Sequence, residues 1–159
     1  MEKYFPRFFN YYPTIMINKG LFTSNTDMWE TPKDFFDKLD REFCFETDVC
    51  ANGKNTKCLH FYTKEDDGLS KEWTGTCWMN PPYGREIGKW VKKAHDSALV
   101  GATVVCLLPA RTDTRWFHNY IYGIAEIRFV KGRLRFSDAG PAPFPSMVVI
   151  FKNLGEARP

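Results

Sequence analysis

The segment Ala102-Thr103-Val104-Val105-Cys106-Leu107-Leu108 is apolar almost without a break. A strand of this composition has no face suited to water. Both sides of its sheet must therefore be covered, as in parallel sheets packed by helices. The rest of the chain supplies the partners. Thr31-Pro32 reads as a helix start, with Thr31 as N-cap, Pro32 in the first helical position and Asp34 at the positive end of the dipole. Phe35, Phe36, Leu39 and Phe43 recur at helical spacing behind it. Short strands are expected at 44–50, 59–63, 76–79, 125–130 and 146–151, and a polar helix around 113–121. Ile87, Trp90, Val91, Ala94 and Ala98 mark a second amphipathic helix. Strands alternating with helices predict an α/β fold with a mostly parallel central sheet. Trp78 and Trp90 are assigned to its core.

At 159 residues the chain has the length of one domain, large enough to enclose a proper core. Its 43% hydrophobic and 26% charged content is that of a soluble globular protein. No stretch approaches the roughly 20 apolar residues of a membrane span. Glu2, Lys3 and Arg7 interrupt the N-terminus, so no signal peptide is expected and the protein is placed inside the cell. Residues 1–25 are aromatic-rich without periodicity and read as an extension, 26–153 as the domain, and 154–159 as a tail.

Charge is unevenly distributed. Residues 1–70 hold 9 Lys/Arg against 12 Asp/Glu, whereas residues 71–159 hold 13 against 7. The basic excess lies within 85–135, which suits a polyanionic partner. The five cysteines (Cys44, Cys50, Cys58, Cys77, Cys106) form no CxxC pair. They are read as free thiols of a reducing compartment, and no metal site is expected.

Asn80-Pro81-Pro82-Tyr83 directly follows an expected buried strand. Two prolines fix their φ angles and offer no N–H, which makes a rigid extended turn. Open α/β sheets place ligands at this carboxyl edge. The Asn80 carboxamide and the Pro81 carbonyl then provide two acceptors, with the flat Tyr83 ring beside them. That set addresses one chemical difficulty: an exocyclic amine or amide nitrogen is a poor nucleophile because its lone pair is delocalised. Two acceptors on its N–H groups favour a pyramidal nitrogen able to attack, while a ring stacks on the planar substrate and sets its approach.

Asn-Pro-Pro-Tyr matches the catalytic motif of amino-methyltransferases that use S-adenosylmethionine. The chain as a whole resembles the phage-type DNA N6-adenine methyltransferases (Dam-like). The resemblance also runs through Trp29-Glu30-Thr31-Pro32, Asp48-Val49-Cys50-Ala51, Phe61-Tyr62-Thr63, Asp66-Asp67-Gly68-Leu69 and Trp73, then Pro109–Trp116 and Pro143–Ser146. It implies a single-domain Rossmann-like methyltransferase fold and a cofactor, S-adenosyl-L-methionine, over the first strands. Catalytic roles fall to Asn80, Pro81, Pro82 and Tyr83. Cofactor contacts fall to Trp29, Thr31, Pro32, Asp48, Cys50, Ala51 and Asn80. Asp66 or Asp67 would hold the ribose hydroxyls or the adenine amine, Asp66 lying 18 residues beyond Asp48. The chain departs from the wider superfamily in having one glycine, Gly53, where a Gly-rich loop is usual.

The resemblance also implies double-stranded DNA as partner, with the target adenine flipped into the pocket. Arg85, Arg111, Arg115, Lys131, Arg133 and Arg135 suit phosphates. Trp116 or His118 suits a base or the gap left by flipping. A monomer or weak dimer, encoded by a phage or prophage and acting in the bacterial host cytoplasm, completes the expectation; a restriction-modification setting goes with it. Two other readings stand beside this one. The same motif serves methyltransferases of RNA adenine and of a protein glutamine amide, and an inactive DNA-binding relative would keep the fold alone. The acidic first half is expected to hold the cofactor and the basic second half to face DNA.

Overall fold

A computed structural model describes residues 29–136 and 140–155. The expected extension at 1–25 and residues 156–159 of the tail lie outside the described residues. The first helix, α1 (Lys33–Phe43), buries Phe36 and Leu39, and ends where Cys44 turns left-handed at φ 53°. Strands β1 (Thr47–Asp48) and β2 (His60–Phe61) follow, then a 3-10 turn at Gly68–Ser70 and β3 (Thr76–Met79). Helix α2 (Ile87–Leu99), strand β4 (Thr103–Pro109), helix α3 (Arg115–Tyr120), β5 (Glu126–Phe129) and β6 (Ser146–Phe151) complete the chain.

One six-stranded sheet has the order β2-β1-β3-β4-β6-β5. β2, β1, β3 and β4 are mutually parallel, and β6 runs antiparallel between β4 and β5. The apolar run at 102–108 falls in β4, near the centre of the sheet, where every residue from Val104 to Pro109 is buried. All six residues of β6, which lies between β4 and β5, are also buried. Continuous apolarity marks a covered strand, not its direction, so both runs look alike in sequence.

Several local expectations are corrected. Pro32, not Thr31, caps α1: its carbonyl accepts from Phe36 N at 3.0 Å, and no side chain caps the helix. The strand expected over 44–50 pairs regularly only at Thr47–Asp48, although Glu46 N and Val49 N still donate to the β3 carbonyls of Thr76 and Trp78. A long connection joins β5 to β6. Residues 131–135 in it carry no regular structure. Trp78 is 1% exposed, as its core assignment required. Trp90 is only half-buried and stacks on Trp73.

No helix among the described residues is long and apolar enough to cross a membrane. Among the same residues, no group of three or more His, Cys, Asp or Glu side chains gathers as a metal site would require.

Candidate active site

The parallel strands β1, β2 and β3 end on one edge of the sheet, and their outgoing loops build the site. After β1, the chain is held by side-chain acceptors. Asp48 is 2% exposed, and its carboxylate accepts from Cys50 N at 3.2 Å and Lys57 N at 3.1 Å. Asn52 Oδ1 accepts from Lys54 N and Asn55 N, while Asn55 Oδ1 accepts from Asn52 N at 2.8 Å. These bonds fix the loop through side-chain acceptors, with the backbone N–H groups of Cys50, Asn52, Lys54, Asn55 and Lys57 all engaged. A Cβ at Gly53 would meet nothing within 4 Å.

Burial pushes the Asp48 carboxyl up to about 6, against the opposing pull of the Lys57 and Cys50 N–H groups and the Lys57 charge. The neighbouring Cys50 thiol is pushed up to about 12 by burial and by the Asp48 charge. It is therefore a neutral, inert wall of the site at physiological pH.

After β3, Asn80 sits against the segment that leads into α1. Its Nδ2 donates to the Trp29 carbonyl and to Thr31 Oγ1, the latter at 2.9 Å. Its Oδ1 is buried, and no described protein group donates to it. A buried acceptor without a donor costs about 1–3 kcal/mol, so a functional site is where one expects to find it. Asn80 lines a cavity of about 20 Å³ with Trp29, Thr31, Asp48, Cys50 and Trp78. Cys50 also borders a larger cleft of about 1060 Å³, which extends past Ala51, Asp67, Pro82 and Trp90. The cofactor candidates Trp29, Thr31, Asp48, Cys50, Ala51, Asp67 and Asn80 are thus brought to two adjoining cavities. Pro32 lines neither.

The two acidic candidates have separate placements. Asp66 Oδ2 accepts from both Thr63 N and Thr63 Oγ1 at 2.8 Å, which holds its carboxyl below the usual range and closes the loop after β2. Asp67 lines the large cleft from a left-handed position at φ 51°. The next residue, Gly68, lies so near β1 that a Cβ there would stand 2.4 Å from the Val49 carbonyl.

Tyr83 is 5% exposed, and its hydroxyl donates to the Leu107 carbonyl at 3.1 Å. Burial holds that hydroxyl well above its ordinary pKa. The ring meets Phe136 and Phe144 at centroid distances of 6.3 and 5.5 Å, and both phenylalanines also touch Trp29. These two rings are site neighbours that the sequence reading missed. Phe144 lies within the Pro143–Ser146 motif, whereas the only signal of Phe136 was apolarity inside a basic stretch.

The basic candidates divide. Arg111 and Arg115 are exposed just past the carboxyl end of β4, and Lys131, Arg133 and Arg135 are exposed on the β5–β6 connection. Arg85 is also exposed and lines the rim of the large cleft. His118 is exposed beside Phe117 and Tyr122. Trp116 is corrected: it is 9% exposed, with Gly88 of α2 against its side chain, so it serves the α2–α3 packing and offers little surface to a base. Asn55 and Lys57 were also not anticipated, and both line the small cavity.

Residues 19–158 match the family model described as DNA N-6-adenine-methyltransferase (Dam). Over 139 residues the chain is 32% identical to the DNA N-6-adenine-methyltransferase of Haemophilus phage HP1 (strain HP1c1), covering 81% of this chain and 80% of that protein. It is also 32% identical over 111 residues to the DNA N-6-adenine-methyltransferase of Escherichia phage T1, covering 68% of this chain and 46% of that one. With a family model spanning nearly its whole length and a relative matched across four-fifths of both proteins, the chain belongs to the DNA N-6-adenine-methyltransferase (Dam) family.

Proposed function

We propose that this protein transfers a methyl group from S-adenosylmethionine to N6 of adenine in double-stranded DNA. The observation that carries the reading is Asn80 Oδ1, a buried acceptor reserved from every described protein donor, beside a cleft of cofactor size. The sheet supports a Rossmann-like methyltransferase fold in a single domain, with β6 antiparallel between β4 and β5 and both cavities at the carboxyl ends of β1 to β3. Asp67, Cys50, Ala51 and Pro82 would hold S-adenosylmethionine from the cleft, with Asp48 and Trp29 at its amino-acid end, while the Thr31 hydroxyl is taken by Asn80.

When bound, that cofactor supplies a methyl group already activated on a sulfonium, so the residues of this chain need only bind and orient. Arg111, Arg115, Arg133 and Arg135 hold the DNA backbone, a positioning role without sequence information. The target adenine leaves the stack at a cost of a few kcal/mol. Asn80 Oδ1 and the Pro81 carbonyl accept from its N6, which localises the nitrogen lone pair for attack. Tyr83 bounds the base pocket. Its ring is enclosed by Phe136 and Phe144, so stacking on its face requires the β5–β6 connection to shift. The extra N6 proton leaves to water after transfer.

The test is direct. Protein, labelled S-adenosylmethionine and a mixed-sequence duplex are incubated, and the nucleosides are separated by mass. N6-methyladenine in DNA is expected, with RNA and a release-factor protein unlabelled. Label confined to RNA or to a glutamine amide would replace the substrate. Failure to bind S-adenosylmethionine by calorimetry would leave only a DNA-binding fold.

A further inference from the structure

Thr31 stands where a helix-capping threonine is expected, yet α1 has no side-chain cap and begins one residue later, behind Pro32. The residue is 3% exposed, and its hydroxyl accepts instead from Asn80 Nδ2 at 2.9 Å, across 49 residues of sequence. The second proton of the same nitrogen goes to the Trp29 carbonyl. A carbonyl only accepts, so turning the carboxamide over would set two oxygens against each other. That contact selects which end of the amide faces Trp29. It does not fix the plane of the amide, because the last torsion of an asparagine is broad. The Thr31 hydroxyl is the second point that does so, leaving Oδ1 buried without a described protein donor in a residue that lines the small cavity.

We propose that Thr31 is a positioning residue of the transfer reaction, whose hydroxyl holds the Asn80 carboxamide in the orientation that presents Oδ1 to the substrate amine. The proposal rests on the reading of Asn80 given above. It separates Thr31 from residues that bind the cofactor: its loss acts on the chemical step, through Asn80. A small misplacement of an acceptor at the reacting nitrogen is enough to slow transfer greatly.

Thr31→Val keeps the shape and removes the acceptor, Thr31→Ser keeps the acceptor, and Thr31→Ala removes both. The full chain of each is examined by single-turnover methyl transfer to duplex DNA, by calorimetry with S-adenosylmethionine, and by the side-chain amide resonance of Asn80, assigned by its loss in Asn80→Ala. Thr31→Val is expected to slow single-turnover transfer about tenfold while DNA KM and cofactor Kd stay within about twofold, and Thr31→Ser to recover most of the rate. The Asn80 amide protons are expected to exchange faster in Thr31→Val even without cofactor or DNA. An unchanged rate in folded Thr31→Val overturns the proposal, as does a rate loss matched by an equal loss of cofactor affinity. If Thr31→Val does not fold, the contrast of Thr31→Ala with Thr31→Ser decides in the same way. Wild-type transfer by Asn80→Ala would overturn the role of Asn80 itself. Inactive Asn80→Ala beside fully active Thr31→Val would overturn the role of Thr31 alone.

Discussion

The Tyr83 hydroxyl donates to the Leu107 carbonyl at 3.1 Å, tying the loop after β3 to the middle of the central strand β4. The bond is buried, and the ring it anchors is walled by Phe136 and Phe144. Tyr83→Phe removes the bond and keeps the ring. It is expected to cost about 1 kcal/mol of stability by chemical denaturation and to retain measurable transfer, whereas Tyr83→Ala loses both. Equal activity of the Ala variant and wild type would remove the ring from the base pocket.

Asn80→Ala deletes the acceptor proposed for adenine N6 and also two bonds to the α1 entry. Methyl transfer is expected to vanish while S-adenosylmethionine still binds by calorimetry. Stability is expected to fall by about 1–2 kcal/mol for the lost bonds. Parallel loss of transfer and cofactor binding would make Asn80 a structural residue.

Asp48 carries a pH signature. Its carboxyl titrates at about 6, raised from 3.8 by burial. On the proposed reading Asp48 faces the ammonium of S-adenosylmethionine, so the ionised form is the binding form and affinity is expected to rise as pH climbs through about 6. Calorimetry at pH 5 is expected to give binding about tenfold weaker than at pH 7, and Asp48→Asn to flatten that dependence. Ligand-free stability slopes the other way. The folded chain holds this proton more tightly than the unfolded one, so the Asp48 contribution falls as pH rises from about 4 to about 6.

Asp66 and Asp67 are adjacent and are expected to separate cleanly. Asp67→Ala should weaken S-adenosylmethionine about tenfold without unfolding the protein, since Asp67 lines the cleft. Asp66→Ala should act on stability through the Thr63 turn. Reversed results in calorimetry and thermal melts would exchange the two assignments.

Gly68 tests the packing behind the cleft. A Cβ there would lie 2.4 Å from a backbone carbonyl, which has no flexible end to move aside. Gly68→Ala is expected to lower stability by roughly 2 kcal/mol or more, seen as a lower midpoint in thermal unfolding. Gly53→Ala, where the added methyl meets open space, serves as the control with little effect.

What local chemistry dictates could be read directly from the chain. The burial of 104–108, the helical faces at Phe36–Leu39 and Ile87–Ala98, and the stiff Asn80–Tyr83 turn follow from residue periodicity and fixed torsions, and the structure contains each. Where a polar group or ring has several partners to choose from, sequence left the choice open. Thr31 looks like a cap because capping is the commonest local use of a threonine before a helix; a distant asparagine claims it instead. Trp116 looks like a base probe among arginines, yet α2 buries it. Asp66 and Asp67 are chemically equal, and only the fold of the turn places Asp67 at the cleft while Asp66 closes the turn on Thr63. The direction of β6 is equally invisible in an apolar run that any covered strand would share. Sequence alone thus determined the elements and the chemistry available at the sheet edge, because those depend on each residue and its near neighbours. The tertiary structure decided strand direction and the partner of each polar side chain, because those depend on which distant surfaces meet.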